Sequence, residues 1–159
     1  MKTSLKVIAC MAALAVLMVV QSASAQGKLE GVWKLTQVTQ TGPNAGTTTN
    51  PQPFFLIFTK KYVSQNGIRG DKPQPDLPKN ATDAQKVATW APLVTGIATY
   101  EIKGTTYTNH PIVGKNPIKP GSFNTLDFKI EGNTLTVTPK ANQDGPIGNP
   151  MTLKYVRVE

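Results

Sequence analysis

Cysteine and histidine are the scarcest chemically active residues in this sequence, with one of each in 159 residues. The single cysteine, Cys10, lies in an apolar N-terminal segment, and the chain from residue 26 onward contains none. That part of the chain must therefore hold its fold without disulfide bonds, by burial of apolar side chains. Metal sites built from Cys and His are almost excluded as well, because His110 is the only such ligand left. We expect no metal and no cofactor.

The motifs of a nucleophilic enzyme are also missing. There is no Gly-x-Ser-x-Gly, and no cysteine beyond residue 25 to act as a nucleophile. A Ser-His-Asp triad would require His110 together with Asp127 and either Ser64 or Ser122, and the spacing of these residues gives it no support. We therefore predict no catalytic residue.

Clustered positive charge is absent too, although the chain has 17 basic and 9 acidic side chains. Lys60 and Lys61 form the only adjacent basic pair, and the other basic residues are spread along the chain. Nucleic-acid sites usually combine clustered Lys and Arg with aromatic residues. We expect no nucleic-acid partner, and the positive balance leaves attraction to anionic small molecules open.

The N-terminal segment has the layout of a secretory signal peptide. Lys2 and Lys6 form a short basic start, Val7 to Val20 is an uncharged apolar run, and Ala23-Ser24-Ala25 is a small-x-small cleavage site. The run is too short for a comfortable membrane span, and no other stretch approaches its length. The pattern predicts cleavage after Ala25, no membrane span thereafter, and export to a bacterial periplasm or to the outside of the cell.

Short strand patterns follow one another through residues 26–159, which we predict to be one domain. Apolar and polar residues alternate over 29–38, and the apolar run Phe54–Phe58 is typical of a strand covered on both faces. Asn66-Gly67 is a turn signal that should end the strand that follows Phe54–Phe58. The segment 72–78 is rich in proline and indicates a loop.

Two hairpins can be drawn from the alternation. A turn at Gly132-Asn133 pairs Ile130 with Leu135 and Phe128 with Val137, so apolar residues meet on one face. A turn at Lys103-Gly104 would set Tyr100 opposite Tyr107 as an aromatic cross-strand pair.

One helix is predicted between the strands. Thr82 and Gln85 fit a capping box, and Ala84, Val87 and Ala88 follow helical spacing. Such a short amphipathic helix should lie on something apolar. Trp90 at its end is either a core anchor or, if the helix closes a barrel mouth, a rim residue.

About eight strands with short connections must hide their edges by packing two sheets or by closing into a barrel. Connections between sequential neighbours favour closure. The predicted fold is all-β: an antiparallel up-and-down barrel of about eight strands with one short helix.

Gly31-Val32-Trp33 in the first strand, with a basic residue late in the last strand, resembles the lipocalin and wider calycin superfamily. The resemblance implies that Trp33 packs near the barrel base beneath that basic side chain. Arg157 is the best match and Lys154 the second choice. It assigns structural roles to Gly31, Trp33 and Arg157.

Further segments resemble exported bacterial lipocalin-like domains. Tyr100-Glu101-Ile102-x-Gly104 followed by His110-Pro111-Ile112-Val113 is similar to their paired middle strands. Residues 123–139 are similar to the ensuing hairpin, and Leu153 to Arg157 to their final strand. The resemblance spreads over most of residues 29–158.

A barrel of this size is either filled by side chains or holds one small ligand. For the second case we predict contacts from aromatic residues and from two polar residues of the middle strands. The candidate ligand-binding residues are Phe55, Tyr62, Tyr100, Tyr107, Asn109 and His110. Two alternatives stay open: the aromatic residues fill the core, and His110 is a strand-end histidine bonded to backbone or water. Alternation places Glu101, which could orient His110, on the outer face.

Three functions remain. The first is a binding protein that holds a small apolar or amphipathic molecule in the barrel lumen. The second is an enzyme on the same scaffold, of the isomerase, cyclase or hydratase type, using His110. The third is a protein-binding or inhibitor module that acts through long loops. The sequence leaves the oligomeric state open.

Overall fold

The computed structural model describes residues 27–43, 45–149 and 151–159. The predicted signal peptide, residues 1–25, lies outside the described residues. In the part of the chain that is described, no helix is long and apolar enough to cross a membrane.

Ten strands and a short helix, α1, account for the regular structure discussed below. The strands are β1 (Gly31–Gln40), β2 (Gly46–Thr49), β3 (Phe54–Phe58), β4 (Tyr62–Ile68), β5 (Leu93–Lys103), β6 (Thr106–Gly114), β7 (Asn124–Glu131), β8 (Thr134–Asn142), β9 (Gly145–Pro146) and β10 (Met151–Arg157), with α1 (Asp83–Trp90) between β4 and β5.

Eight of these strands close into an antiparallel barrel. From β1, the order runs through β3, β4, β5, β6, β7 and β8, each paired with the next. β10 pairs with both β8 and β1, so the sheet has no free edge in the barrel wall. β2 and β9 are short additions to β1 and β8. The predicted up-and-down barrel is confirmed, and it is compatible with a lipocalin-like fold.

The core fills the barrel around Trp33. Its buried residues are all apolar or aromatic, as expected where alternate positions of each strand face inward. They are Leu29, Trp33, Leu35, Leu56, Phe58, Val63, Ala98, Tyr100, Tyr107, Phe128, Leu135, Val137 and Tyr155. Phe58, Tyr100 and Tyr107 pack edge to face, with ring centroids 5.4 to 6.4 Å apart.

Trp33 lies at the closed end of this core. It is fully buried, and its indole Nε1 donates a hydrogen bond of 2.8 Å to the carbonyl of Leu29. The guanidinium of Arg157 lies 4.1 Å from the Trp33 ring centroid and donates hydrogen bonds to the carbonyls of Glu30 and Lys28. A cation stacked on an indole and bonded to two carbonyls joins the start of β1 to the end of β10.

The two predicted hairpins differ in their outcome. In β7–β8, Ile130 pairs with Leu135 and Phe128 with Val137, which confirms that register. In β5–β6, Tyr107 pairs with Ile102, so the predicted pairing of Tyr107 with Tyr100 is wrong by two residues. Since side chains alternate with a period of two, this slip leaves both tyrosines on the inner face.

Asn66-Gly67 does not end β4, contrary to the sequence prediction. Gly67 pairs with Phe54 on one side and Val94 on the other. A side chain at Gly67 would come within 2.5 Å of the Phe54 Cα atom. The glycine therefore permits a close backbone approach inside the sheet rather than a turn.

The outer face of β3 and the helix α1 are less covered than expected. Ile57 on β3 is 38% exposed, so this strand is not buried on both faces. The capping box of Thr82 and Gln85 is confirmed, but α1 buries none of its residues. Trp90 is 56% exposed, which excludes a core anchor.

Candidate ligand cavity

A cavity of about 480 Å³ occupies the end of the barrel away from Trp33. Its lining residues come from the strands and loops that surround that end. They are Phe54, Leu56, Val63, Gln65, Arg69, Ala91, Leu93–Ala98, Tyr107, Asn109, Pro111, Val113–Ile118, Ser122, Asn124, Leu126, Val137, Gln143, Leu153 and Tyr155. The buried members, Leu56, Val63, Ala98, Tyr107, Val137 and Tyr155, form what we call the floor. The exposed members form the rim together with the half-buried Lys115; they are Gln65, Arg69, Ala91, Ile97, Val113, Gly114, Asn116, Pro117 and Gln143.

The floor is apolar except for two phenol hydroxyls. Tyr107 comes from β6 and Tyr155 from β10, and each is only 2% exposed. Burial, reinforced by the neighbouring Tyr155, raises the pKa of the Tyr107 hydroxyl far above its usual range. Burial raises the pKa of Tyr155 in the same direction. Both hydroxyls are therefore neutral at any physiological pH, and both remain able to donate a proton in a hydrogen bond.

Amide side chains line the cavity above the floor, two of them half-buried and one, Gln65, exposed at the rim. Asn109 on β6 and Asn124 on β7 are directly paired, and Asn124 Nδ2 donates a hydrogen bond of 3.0 Å to Asn109 Oδ1. Gln65 on β4 adds a third amide to the lining. These groups occupy inward positions that hold apolar residues elsewhere in the barrel, so the cavity becomes more polar toward its opening.

The charged groups in the lining are both cationic. Arg69 and Lys115 are at the rim, and no carboxylate is among the residues that line the cavity. Lys115 Nζ donates hydrogen bonds to the carbonyls of Trp90 (3.2 Å) and Ala91 (2.7 Å). This contact fixes the β6–β7 connection to the C-terminal end of α1, where a cation is also favoured by the helix dipole.

Two of the six candidate ligand residues, Tyr107 and Asn109, line the cavity. Tyr100 belongs to the closed half, and its hydroxyl donates a hydrogen bond of 2.7 Å to the carbonyl of Thr59. The sequence therefore grouped Tyr100 with Tyr107 correctly on the inner face, but only Tyr107 borders the cavity.

Phe55, Tyr62 and His110 are not among the residues that line the cavity. Phe55 and Tyr62 occupy strand positions that alternate with the buried Leu56 and Val63, so they face outward. Tyr62 is 47% exposed.

His110 lies on the outer surface near Glu101. Its Nε2 is 3.9 Å from Glu101 Oε1, and the two side chains are 50% and 77% exposed. Both groups are largely exposed to solvent, and no cavity at this position would hold a substrate between them for a proton transfer. The arrangement therefore gives no support to chemistry at His110.

Several lining residues were not identified from the sequence, although the alternation contained a signal for some of them. Asn124 shares its face with Leu126 and Phe128, Gln65 shares its face with Val63, and Tyr155 shares its face with Leu153. Gln65 and Asn124 could have been identified as polar residues at strand positions whose alternation points inward. Arg69 and Lys115 lie outside regular alternation and had no such signal.

The described ranges contain no group of three or more His, Cys, Asp or Glu side chains placed to hold a metal ion. A scan against protein-family models finds no match for the chain. A search of curated proteins finds no similar sequence. The fold and the cavity define the class as a closed antiparallel β-barrel with one filled end and one hollow end.

Proposed function

We propose that this protein is an exported binding protein that holds one small apolar or amphipathic molecule in the barrel lumen. One observation carries the proposal: a cavity of about 480 Å³ with an apolar floor and a rim that holds two cationic side chains, Arg69 and Lys115. This volume lies within the range of roughly 300–1,000 Å³ that small-molecule sites occupy in proteins. Export rests on the N-terminal sequence pattern alone.

Burial of apolar ligand surface supplies the affinity in this mechanism, at about 25 cal/mol per Å² removed from water. Leu56, Val63, Ala98 and Val137 offer that surface on the floor. The amides above them orient a polar portion of the ligand. We expect the filled end of the barrel to keep its shape when a ligand binds, because its residues pack on one another.

A cavity-filling substitution tests the proposal. N-phenyl-1-naphthylamine, a neutral dye that fluoresces in apolar surroundings, should bind the protein with a saturable signal at one site per chain. Leu126→Trp adds bulk at a lining position and should weaken dye binding by at least about tenfold. Ile112→Trp adds an indole at an outward position that is 55% exposed, and it should bind like the wild type.

Circular dichroism of both variants would check that the barrel still forms. Equal dye binding by the wild type and a folded Leu126→Trp variant would show that the dye does not enter the cavity. Absence of saturable dye binding by the wild type, together with no small molecule retained in native mass spectrometry of protein from its own host, would refute the binding function.

The loop-mediated alternative stays a prediction. Residues 69–80 are exposed throughout, and no contact in the described structure favours a protein partner there over solvent. The enzymatic alternative required His110 beside a carboxylate within a cavity, and the position of His110 on the outer surface does not supply one.

A further inference from the structure

No described residue forms a hydrogen bond with the hydroxyls of the two floor tyrosines, which is unusual for phenols so deeply buried. Tyr100, in the closed half, donates its hydroxyl to a carbonyl. Neither the Tyr107 nor the Tyr155 hydroxyl forms a hydrogen bond with any described residue, although both side chains are 2% exposed. Buried polar groups normally have a partner, and an unpaired one costs roughly 1–3 kcal/mol.

The open space next to these hydroxyls is the cavity. Among the described residues, no fully enclosed side-chain oxygen or nitrogen lacks a partner. The Tyr107 and Tyr155 oxygens must therefore each retain some accessible surface, and both side chains border the cavity. Their partner is expected in that space, from a ligand or from water that a ligand replaces.

The chemistry of the floor selects the kind of partner. A neutral phenol can donate and accept a hydrogen bond, and the proton it donates is best satisfied by an oxygen acceptor. A carboxylate would lose its hydration on the apolar floor, where no lining cation stands, since Arg69 and Lys115 are both at the rim. Burial of an unpaired charge is far more costly than burial of a carbonyl that receives hydrogen bonds.

We propose that the ligand is a neutral apolar carbonyl compound, a ketone or an ester, whose oxygen accepts hydrogen bonds from the Tyr107 and Tyr155 hydroxyls on the cavity floor. The carbonyl end then enters the barrel first, and the hydrocarbon portion packs above it on Leu126 and Leu153. This inference rests on the proposed binding function and adds to it a ligand class and an orientation.

The test compares two probes of the same shape. 2-Decanone carries a carbonyl, and 2-methyl-1-decene replaces its oxygen by a methylene group. Each competes with N-phenyl-1-naphthylamine on the wild type, on the single variants Tyr107→Phe and Tyr155→Phe, and on the double variant. The measured quantity is the ratio of the alkene Kd to the ketone Kd, which cancels general changes in the cavity.

We expect this ratio to fall about fivefold for each hydroxyl that is removed, the equivalent of one ordinary hydrogen bond. Tyr62→Phe makes the same chemical change at an outward position, and it should leave the ratio unchanged. Infrared difference spectra of carbonyl-labelled 2-decanone give an independent readout. The bound carbonyl stretch should lie below its frequency in hexane for the wild type and move toward that frequency in the double variant.

The outcomes separate this inference from the proposed function. If both probes displace the dye but the ratio is the same in the wild type and both single variants, the floor hydroxyls do not recognise the ligand, and the binding function stands. If neither dye nor probe binds the wild type, the binding function fails and this inference fails with it. Should the double variant not fold, the single variants and the wild-type carbonyl frequency decide, and an unshifted frequency overturns the proposal.

Discussion

Gly31 is the residue whose identity the barrel constrains most visibly. Its φ angle is +129°, and a Cβ atom there would lie 2.3 Å from the carbonyl oxygen of Glu159 and 2.5 Å from Arg157 Nη1. Backbone in this region is strained for any residue with a side chain. Glycine therefore allows the first and last strands to meet beside Trp33.

Gly31→Ala should lower the free energy of unfolding by at least about 1–3 kcal/mol from backbone strain alone. Gly46→Ala is the matched control, because its Cβ would meet no heavy atom within 4 Å. Urea denaturation followed by circular dichroism measures both. Equal stability of the two variants would contradict the role assigned to Gly31.

Charged side chains form hydrogen bonds and ion pairs between neighbouring strands, and the clearest example joins β6 to β7. Thr106 Oγ1 donates a hydrogen bond of 2.6 Å to Asp127 Oδ1, and Lys140 Nζ lies 3.2 Å from Asp127 Oδ2. The Thr106 hydrogen bond, helped by Lys140 and opposed by burial, holds the pKa of Asp127 below its usual value.

This pKa predicts an acid-dependent loss of stability. Because the folded pKa of Asp127 lies below the unfolded one, the stabilisation is present at neutral pH and is lost as the pH falls below about 4. Thr106→Val removes the main cause. It should lower the urea midpoint relative to the wild type at pH 7, and the difference should shrink at about pH 2.5.

Thr108→Val is the control for this experiment, because the Thr108 hydroxyl lies 3.4 Å from the Thr125 hydroxyl across the same strands and, among the described residues, forms no hydrogen bond with a carboxylate. Its effect should not vary with pH. A difference between Thr106→Val and the wild type that is the same at both pH values would show that Asp127 is not stabilised through Thr106.

At the scale of the whole molecule, the two ends of the barrel have different tasks. The end around Trp33 is filled by packed side chains that stabilise the fold. The other end is hollow and contains the proposed binding site. The chain has no disulfide bonds from residue 26 onward. The fold tolerates the cavity because closure of the barrel pairs every strand of its wall.

Export is the prediction that concerns the entire chain. Intact mass spectrometry of the protein from the bacterial envelope should show a chain that begins at Gln26. Ala23→Arg with Ala25→Arg should block this cleavage, whereas Ala13→Leu in the apolar run should not. Recovery of the wild type from the cytoplasm with residues 1–25 still attached would refute export.

Most of the fold could be predicted because local alternation decides which side chains face inward. The β7–β8 register followed from Leu126, Phe128 and Ile130, and the helix start followed from Thr82 and Gln85. The prediction at Asn66-Gly67 was wrong because glycine is favoured both in a turn and where two backbones approach closely. Only the position of Phe54 in the structure distinguishes these two cases.

The sequence by itself determined the barrel: short alternating strands, sequential connections and a Gly-x-Trp start leave few other ways to bury the apolar faces. The tertiary structure decided what the barrel contains. Alternation gives the face of a residue but not its neighbours inside the barrel, because those depend on the stagger with which the strands close. For that reason Tyr100 bonds to the carbonyl of Thr59 and does not border the cavity, whereas Tyr107 and Tyr155, from strands far apart in the sequence, both line its floor.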